Sequence, residues 1–245
     1  GWGCSPEAQF KMNEEYPFMS GEFVWTGFDY LGEPTPYNEA TPARSSYFGI
    51  FDLAGMKKDR FYLYQSVWSD EKVLHLLPHW DWEDRLGQVV PVHCYTNYPK
   101  VELFVNGVSQ GIRERNNSTV YDRYRLRWND VIYAPGEIKA VALDVNNNVV
   151  AEKIVRTSGT PYKIKMKADR DIMLADGKDL IYVTVEVQDK AGNLCPRSSC
   201  MLFFTVSGSG KLKAICNGVP TDQTSFASNY MRTFNGKMVV IIQST

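Results

Sequence analysis

Hydrophobic and polar residues alternate with a period of two through much of the chain after residue 73. Residues 101–105 alternate in this way and lead into Asn106-Gly107, a pair that favours the type I′ turn of a β-hairpin. The same alternation recurs in residues 124–128 and 138–142. Closely spaced strands without helical patterns between them predict an immunoglobulin-like sandwich in residues 69–157.

A second series of strand patterns follows a short linker. Residues 158–161 read Ser-Gly-Thr-Pro, a composition typical of a connection between domains. We therefore expect a second immunoglobulin-like sandwich in residues 158–245. Its strand candidates are residues 164–168, 180–187, 201–206, 211–215 and 238–242.

The first 68 residues follow a different pattern. Residues 22–28 are rich in β-prone side chains and predict one strand, after which a long loop rich in Gly and Pro follows. Phe61, Tyr64 and Trp68 then recur at helical spacings, which predicts a helix that begins near Lys57. The sequence thus predicts a mainly β protein in which one βα unit, residues 1–68, precedes two sandwiches.

The charge balance narrows the classes of partner. The chain has 27 Lys and Arg against 28 Asp and Glu among 245 residues, so it has no large positive field to attract a polyanion. Nucleic acid is therefore not an expected partner. No apolar run reaches the roughly 18 to 20 residues needed to span a bilayer, so a membrane is not expected either.

Three short motifs resemble functional sites, but their surroundings disfavour that interpretation. Residues 107–111 fit G-x-S-x-G, yet the serine follows a hairpin turn rather than the strand-to-helix turn of an esterase nucleophile. His75 and His79 have the spacing of a metal-binding helix face, which Pro78 interrupts. Residues 144–148 resemble a calcium loop but suit an Asn-rich hairpin turn better. We expect neither a metal nor a cofactor.

Two groups of side chains leave alternatives open. The five cysteines lack the spacing of a metal site, and Cys195 and Cys200 can either close a disulfide across a short loop or remain free thiols. Trp80 and Trp82 can form a carbohydrate platform if they are exposed. Tryptophans two apart on a strand share one face and often build a core, which is the role that we favour for them.

Residues 21–37, GEFVWTGFDYLGEPTPY, are the most informative segment, because a strand there ends in aromatic and carboxylate side chains. Together with residues 42–68, this segment resembles the eighth strand, loop and helix of the catalytic (β/α)8 barrel in β-galactosidase-like members of glycoside hydrolase family 2. The later blocks PHWDW, VELFVNG and LADGKDLIYVTVEVQDKAGN resemble the two β-sandwich domains that follow this barrel. The resemblance covers essentially the whole chain and implies the C-terminal part of such an enzyme.

The resemblance also carries expectations about the site. It implies a retaining hydrolase with two catalytic glutamates on the fourth and seventh barrel strands, which no residue of this chain matches. The chain alone is therefore expected to be inactive. Trp25 is expected to form a wall of the sugar site, because a flat indole complements the apolar face of a pyranose, whereas the residue pattern alone assigns it to a core. Asp29 is the second candidate for substrate binding, although we favour for it the role of accepting hydrogen bonds from loop N–H groups.

One departure within the family narrows the substrate. Family glucuronidases carry an Asn-x-Lys pair that binds the substrate carboxylate, and this chain has Ser46-Tyr47-Phe48 there. Burying a carboxylate without a cation is costly, so the expected substrate is a neutral β-galactoside. The other expected partner is the rest of the catalytic barrel, with a homo-oligomer left open. For a bacterial glycan-degrading parent, a periplasmic or extracellular location is expected.

The alternative is a non-catalytic carbohydrate-binding or adhesion module made of tandem sandwiches, because fold alone does not fix function. The first 68 residues argue against this alternative, since such a module has no need of a barrel strand and helix.

Overall fold

Antiparallel β-strands are the main element of the computed structural model, which describes residues 3–33 and 43–245. The chain divides into two compact units, each built from two separate segments. Unit 1 joins the residues up to Trp25 with Lys57–Thr157, and unit 2 joins Thr26–Met56 with Ser158–Thr245. Each unit contains one antiparallel sandwich, which confirms the prediction of a mainly β fold. The division into residues 1–68, 69–157 and 158–245 stays a prediction.

The sandwich of unit 1 consists of the strands β1 (Leu74–Leu77), β2 (Val92–Thr96), β3 (Lys100–Val105), β4 (Val108–Glu114), β5 (Leu126–Trp128), β6 (Glu137–Leu143) and β7 (Val149–Arg156). They form two sheets, with the strand orders β1-β2-β5 and β4-β3-β6-β7. The inner faces enclose a core around Trp80 and Trp128. Asn106 and Gly107 connect β3 to β4 with the positive φ angles of 48° and 81° that a type I′ turn requires.

Two helices, α1 (Pro6–Glu15) and α2 (Asp59–Trp68), also belong to unit 1. The Ser5 hydroxyl caps α1 by accepting a hydrogen bond from the Ala8 N–H, at 3.3 Å. The two helices meet at Phe10, whose buried ring packs edge-on against Tyr64 and Tyr124 at centroid distances of 5.3 Å. These aromatic contacts join both helices to the chain that leads into β5. The predicted helix near Lys57 is therefore confirmed as α2.

The sandwich of unit 2 consists of the strands β8 (Lys163–Ala168), β9 (Leu180–Gln188), β10 (Met201–Phe203), β11 (Gly210–Cys216), β12 (Tyr230–Arg232) and β13 (Lys237–Ser244). One sheet has the order β11-β13-β9-β8, and the other pairs β10 with β12. Val185, Met231 and Met238 lie fully buried between them. All five predicted strand segments of this region contain an observed strand, whereas β12 lies outside them.

Residues 22–28 do not form the predicted strand. Their ladder contact is an isolated parallel bridge from Phe28 to Phe51, whose rings stack at 4.8 Å. A parallel strand is stable only between neighbouring strands, and strand propensity expresses that packing rather than an intrinsic preference. Phe23, Trp25 and Phe28 are exposed as a result.

Candidate functional site

An open cleft of about 530 Å³ lies beside Trp25 within unit 1. Three sequence segments meet there: the start of α1 with the residues before it, the segment that ends at Trp25, and the face of α2. The strand β2 and the loop before β5 close the other side through Tyr95, Tyr121 and Arg125. The cleft therefore combines aromatic side chains with charged ones, a composition that suits a polar ligand with apolar faces.

Trp25 presents its indole at the edge of this cleft, with 72% of the residue exposed. Phe23, two residues earlier, is fully exposed, whereas Val24 between them is partly buried. This alternation is the one expected of an extended chain. Trp25 is thus not a core residue in this structure, contrary to what the residue pattern alone assigns.

Two glutamates in the cleft were not anticipated from the sequence. Glu7, in the first turn of α1, is completely buried and forms an ion pair with Arg125. Burial, together with the positive charge of the neighbouring Arg127, lowers the pKa of Arg125 to about 10. Burial also raises the pKa of Glu22, against the opposing effect of a hydrogen bond from Asn13. The sequence offered a signal for Glu7 only as an acidic residue after the helix cap, which has an ordinary structural explanation.

Arg125 is held on more than one side. Its guanidinium lies 5.2 Å from the Tyr95 ring centroid and 5.4 Å from that of Tyr121. Cation–π contacts of this kind stabilise a partly buried arginine. Burial, with the nearby charge of Asp59, raises the pKa of Tyr95 to about 12, so this phenol stays protonated at neutral pH. The wall of the cleft formed by Arg125 and these rings is therefore fixed in position and in charge.

Asp29 belongs to unit 2, where it is 5% exposed. Its Oδ1 accepts a hydrogen bond from the Gly49 N–H at 2.7 Å, and its own N–H donates to the Phe51 carbonyl at 2.9 Å. The first bond confirms the favoured role, in which the Asp29 side chain holds the following loop by accepting a backbone hydrogen bond. A role of Asp29 in substrate binding stays a prediction.

Ser46 and Tyr47, of the segment that departs from the glucuronidase pattern, have different environments. Ser46 is completely buried, and its Oγ accepts a hydrogen bond from the Tyr30 N–H at 3.2 Å. Tyr47 is exposed. The Ser46 hydroxyl is thus engaged inside unit 2. Residues 34–42, which include the end of the segment quoted above, lie outside the described residues.

The structure also resolves the alternatives for the remaining motifs. Ser109 lies in β4 and donates a 2.6 Å hydrogen bond to Glu102, so no nucleophile elbow exists there. His75 pairs with Asp59 at 2.7 Å and stacks on Tyr62. Asp144 accepts hydrogen bonds from the N–H groups of Asn146 and Asn148, as an Asn-rich turn requires.

The alternatives for the cysteines and tryptophans can now be compared with the structure. Cys195 and Cys200 keep their thiols, so no disulfide joins them. Trp80 is completely buried, and its indole N–H donates to the Ala134 carbonyl at 2.9 Å. Trp82 packs against the same core, which confirms the core role for this pair. The residues lie outside any strand, however, so the expected strand alternation is not the reason.

Within residues 3–33 and 43–245, no three His, Cys, Asp or Glu side chains are close enough together to hold a metal ion. In the same ranges, none of the helices is long and apolar enough to cross a membrane.

Comparison with known proteins shows that this chain is similar to parts of glycoside hydrolases. Residues 164–245 match the model of glycoside hydrolase family 2 C-terminal domain 5, and residues 87–151 match a domain of unknown function, DUF4982. The β-galactosidase BoGH2A of Bacteroides ovatus is 47% identical over 99% of this chain and 28% of its own length. A putative β-glucuronidase of Formosa agariphila is 35% identical over 95% of this chain and 22% of its own length.

A solved structure has the same fold. The crystal structure of a β-glycosidase from Bacteroides vulgatus is similar with a TM-score of 0.89 and 35% identity, covering 98% of this chain and 30% of that one. The chain thus spans less than a third of the length of these three relatives.

Proposed function

Because this chain belongs to glycoside hydrolase family 2 and carries its C-terminal region, we propose that it is part of a retaining enzyme that hydrolyses neutral β-galactosides. In this proposal, Trp25 forms a wall of the sugar site. The catalytic glutamates come from other strands of the barrel, as the resemblance to the family implies.

The observation that carries the choice of substrate is the composition of the Ser46-Tyr47-Phe48 segment. A glucuronide needs a cation beside its carboxylate, and Phe48 stands where family glucuronidases carry that lysine. The Ser46 hydroxyl already accepts a hydrogen bond from Tyr30. Arg44, the cation nearest in sequence, lies over the Phe226 ring at 4.1 Å and donates to the Thr224 carbonyl at 3.0 Å. Because the Arg44 guanidinium is engaged in these contacts, they support a substrate sugar that has no carboxylate.

The names of the relatives agree in part with a β-galactoside as the substrate. The Bacteroides ovatus protein, at 47% identity, is a β-galactosidase, whereas the Formosa agariphila protein, at 35%, is named a putative β-glucuronidase. A β-glucuronide is accordingly the competing substrate.

The carboxylates of the cleft do not take the catalytic roles in this proposal. Glu7 is neutralised by its ion pair with Arg125, and burial favours the protonated form of Glu22. A retaining mechanism needs two carboxyl groups about 5 to 5.5 Å apart on either side of the scissile bond, one of them an ionised nucleophile. We therefore expect the purified chain alone to leave aryl β-galactosides unhydrolysed.

The test is a comparison of two substrates with the same leaving group. The full-length parent enzyme is assayed with 4-nitrophenyl β-galactoside and 4-nitrophenyl β-glucuronide, and kcat/KM is measured for each. The proposal expects the galactoside to be cleaved preferentially, by about tenfold or more, because a buried unpaired carboxylate disfavours the glucuronide. A preference for the glucuronide would show that another cation binds the carboxylate.

A further inference from the structure

We infer that the sandwich of unit 2 positions the loop after Trp25 for sugar binding, and that Arg44 is the positioning residue that fastens this loop to the sandwich. The inference rests on the proposed function, because this loop contains Ser46-Tyr47-Phe48, the segment that is proposed to select the sugar.

Hydrogen bonds within the loop join its beginning to its end. We call residues 26–33 and 43–51 the clasp, because hydrogen bonds join one part to the other. The Ile50 N–H donates to the Thr26 carbonyl at 3.0 Å, and the Phe51 N–H donates to the Gly27 carbonyl at 2.9 Å. Ser46 and Tyr30 exchange two further bonds. The clasp therefore fixes the backbone that carries Ser46-Tyr47-Phe48.

Arg44 then connects the clasp to the loop between β11 and β12. Its backbone N–H donates to the Pro220 carbonyl at 2.9 Å, and its Nη1 donates to the Thr224 carbonyl at 3.0 Å. The guanidinium lies over the Phe226 ring, with 4.1 Å from its central carbon to the ring centroid. A planar guanidinium makes such stacked and forked contacts together, which a lysine ammonium does not. A backbone hydrogen bond, a side-chain hydrogen bond and a cation–π contact thus meet at Arg44.

The β11–β12 loop, which Arg44 contacts, is itself held by hydrogen bonds. Asn217 is buried and donates to Asp222 Oδ2 at 2.5 Å and to the Arg232 carbonyl at 3.0 Å. Burial alone would raise the pKa of Asp222, but hydrogen bonds from Thr224 and Asn217 and the charge of Arg44 lower it overall. Asp222 is therefore a carboxylate that complements Arg44 electrostatically. These internal hydrogen bonds suit a positioning role. A loop can hold Arg44 in place only if its own backbone is held in place.

Asp52, the residue that follows the clasp, also lies against the β11–β12 loop. Asp52 Oδ1 accepts hydrogen bonds from the Ala54 and Met56 N–H groups, both at 2.9 Å. Its Oδ2 lies so close to Gly218 that a Cβ there would approach to 2.3 Å. The chain therefore lies against the β11–β12 loop on both sides of Ser46-Tyr47-Phe48, through hydrogen bonds at Arg44 and a close approach at Asp52.

The test uses the full-length parent enzyme and its KM, which does not depend on how much of a preparation is folded. Arg44→Ala is expected to raise KM for an aryl β-galactoside about tenfold, since it removes a charge-assisted hydrogen bond and a cation–π contact. Arg44→Lys keeps the charge and is expected to give an intermediate KM. Arg232→Ala is the matched control, because Arg232 also donates to one backbone carbonyl, that of Ser199 at 2.9 Å within the sandwich. Its KM is expected to stay within about twofold of wild type.

The outcomes separate the inference from the proposed function. An Arg44→Ala enzyme with the same KM as Arg232→Ala would overturn the inference. If Arg44→Ala fails to fold, Phe226→Leu removes only the ring beneath the guanidinium; an approximately threefold rise in KM supports the inference and an unchanged KM overturns it. If wild type prefers the glucuronide, the proposed function fails, and the same variants then test the inference with that substrate.

Discussion

The backbone of Gly49 lies against that of Asp29 so closely that no side chain fits between them. A Cβ on Gly49 would lie 2.2 Å from the Asp29 nitrogen and 2.3 Å from the Phe51 carbonyl oxygen. Both neighbours are backbone atoms, which cannot move aside as a flexible side chain can. The parallel bridge from Phe28 to Phe51 and the hydrogen bonds of Asp29 all depend on this approach.

Gly49→Ala is accordingly expected to lower the free energy of unfolding by about 1 to 3 kcal/mol, the range for overpacked sites. The measurement is urea denaturation of the chain. Gly27→Ala is the control, because Gly27 lies in the same clasp with open space where its Cβ would be. Equal free energies of unfolding for the two variants would show that the clasp backbone can adjust to a Cβ at Gly49.

Trp25→Ala is expected to impair the parent enzyme more than it impairs folding. The exposed indole loses little burial, so the free energy of unfolding should change by less than about 1 kcal/mol. Trp80→Ala, at a completely buried tryptophan, should reduce it by about 3 to 5 kcal/mol. Urea denaturation of both variants gives this comparison, and kcat/KM of the Trp25→Ala parent completes it. A large loss of stability with normal activity would assign Trp25 to a core.

Phe48→Lys in the parent is expected to shift selectivity toward the glucuronide. The new ammonium would stand where family glucuronidases bind the carboxylate, and a charge-assisted hydrogen bond changes the ratio of kcat/KM values by about tenfold or more. Tyr47→Lys introduces the same charge one residue earlier, at an exposed position, and should leave the ratio nearly unchanged. The same ratio in both variants would mean that the segment does not face the sugar.

Asp189 is expected to make the stability of the chain depend on pH in acid. A hydrogen bond from the Gly159 N–H, together with bonds from Asn193, lowers the pKa of Asp189 from 3.8 to about 2. The folded pKa lies below the unfolded one, so this stabilisation is fully present above about pH 4 and is lost as the pH falls toward 2. Urea denaturation across this range should show a weaker dependence for Asp189→Asn than for wild type. NMR titration of Asn193→Ala, which removes one donor, should show a higher Asp189 pKa.

The period-two pattern predicted strands such as β3 and β6, but it did not predict β1 or β2, although both contribute residues to the core. In β3 and β6, apolar residues alternate because one face packs in the core, and the Asn-Gly turn adds an independent signal. The strands β4 and β7 were not predicted. They are the edges of their sheet and are largely exposed, so burial imposes no clear alternation on their sequences.

The candidate site was predictable only where one residue acts locally. Asp29 could be assigned to its loop from its place after a predicted strand; that strand is not formed, but the bond from the Gly49 N–H agrees with the assignment. The grouping of Glu7 with Arg125 could not be predicted, because the two residues are far apart in sequence and meet only when α1 packs on the sandwich. The strand predicted for residues 22–28 is not formed. A strand there depends on pairing with neighbouring strands, which the local propensity of the sequence does not describe.

The interleaving of the two units has a consequence for synthesis on the ribosome. Residues 26–56 belong to unit 2, yet the rest of that unit begins at Ser158, after all of Lys57–Thr157 has been made. At about 5 to 20 residues per second, the clasp waits roughly 5 to 20 s before the first residue of its sandwich is added. Unit 1 has all its residues by Thr157 and can fold during this interval. Until then, the hydrogen bonds from Arg44 to the β11–β12 loop cannot form.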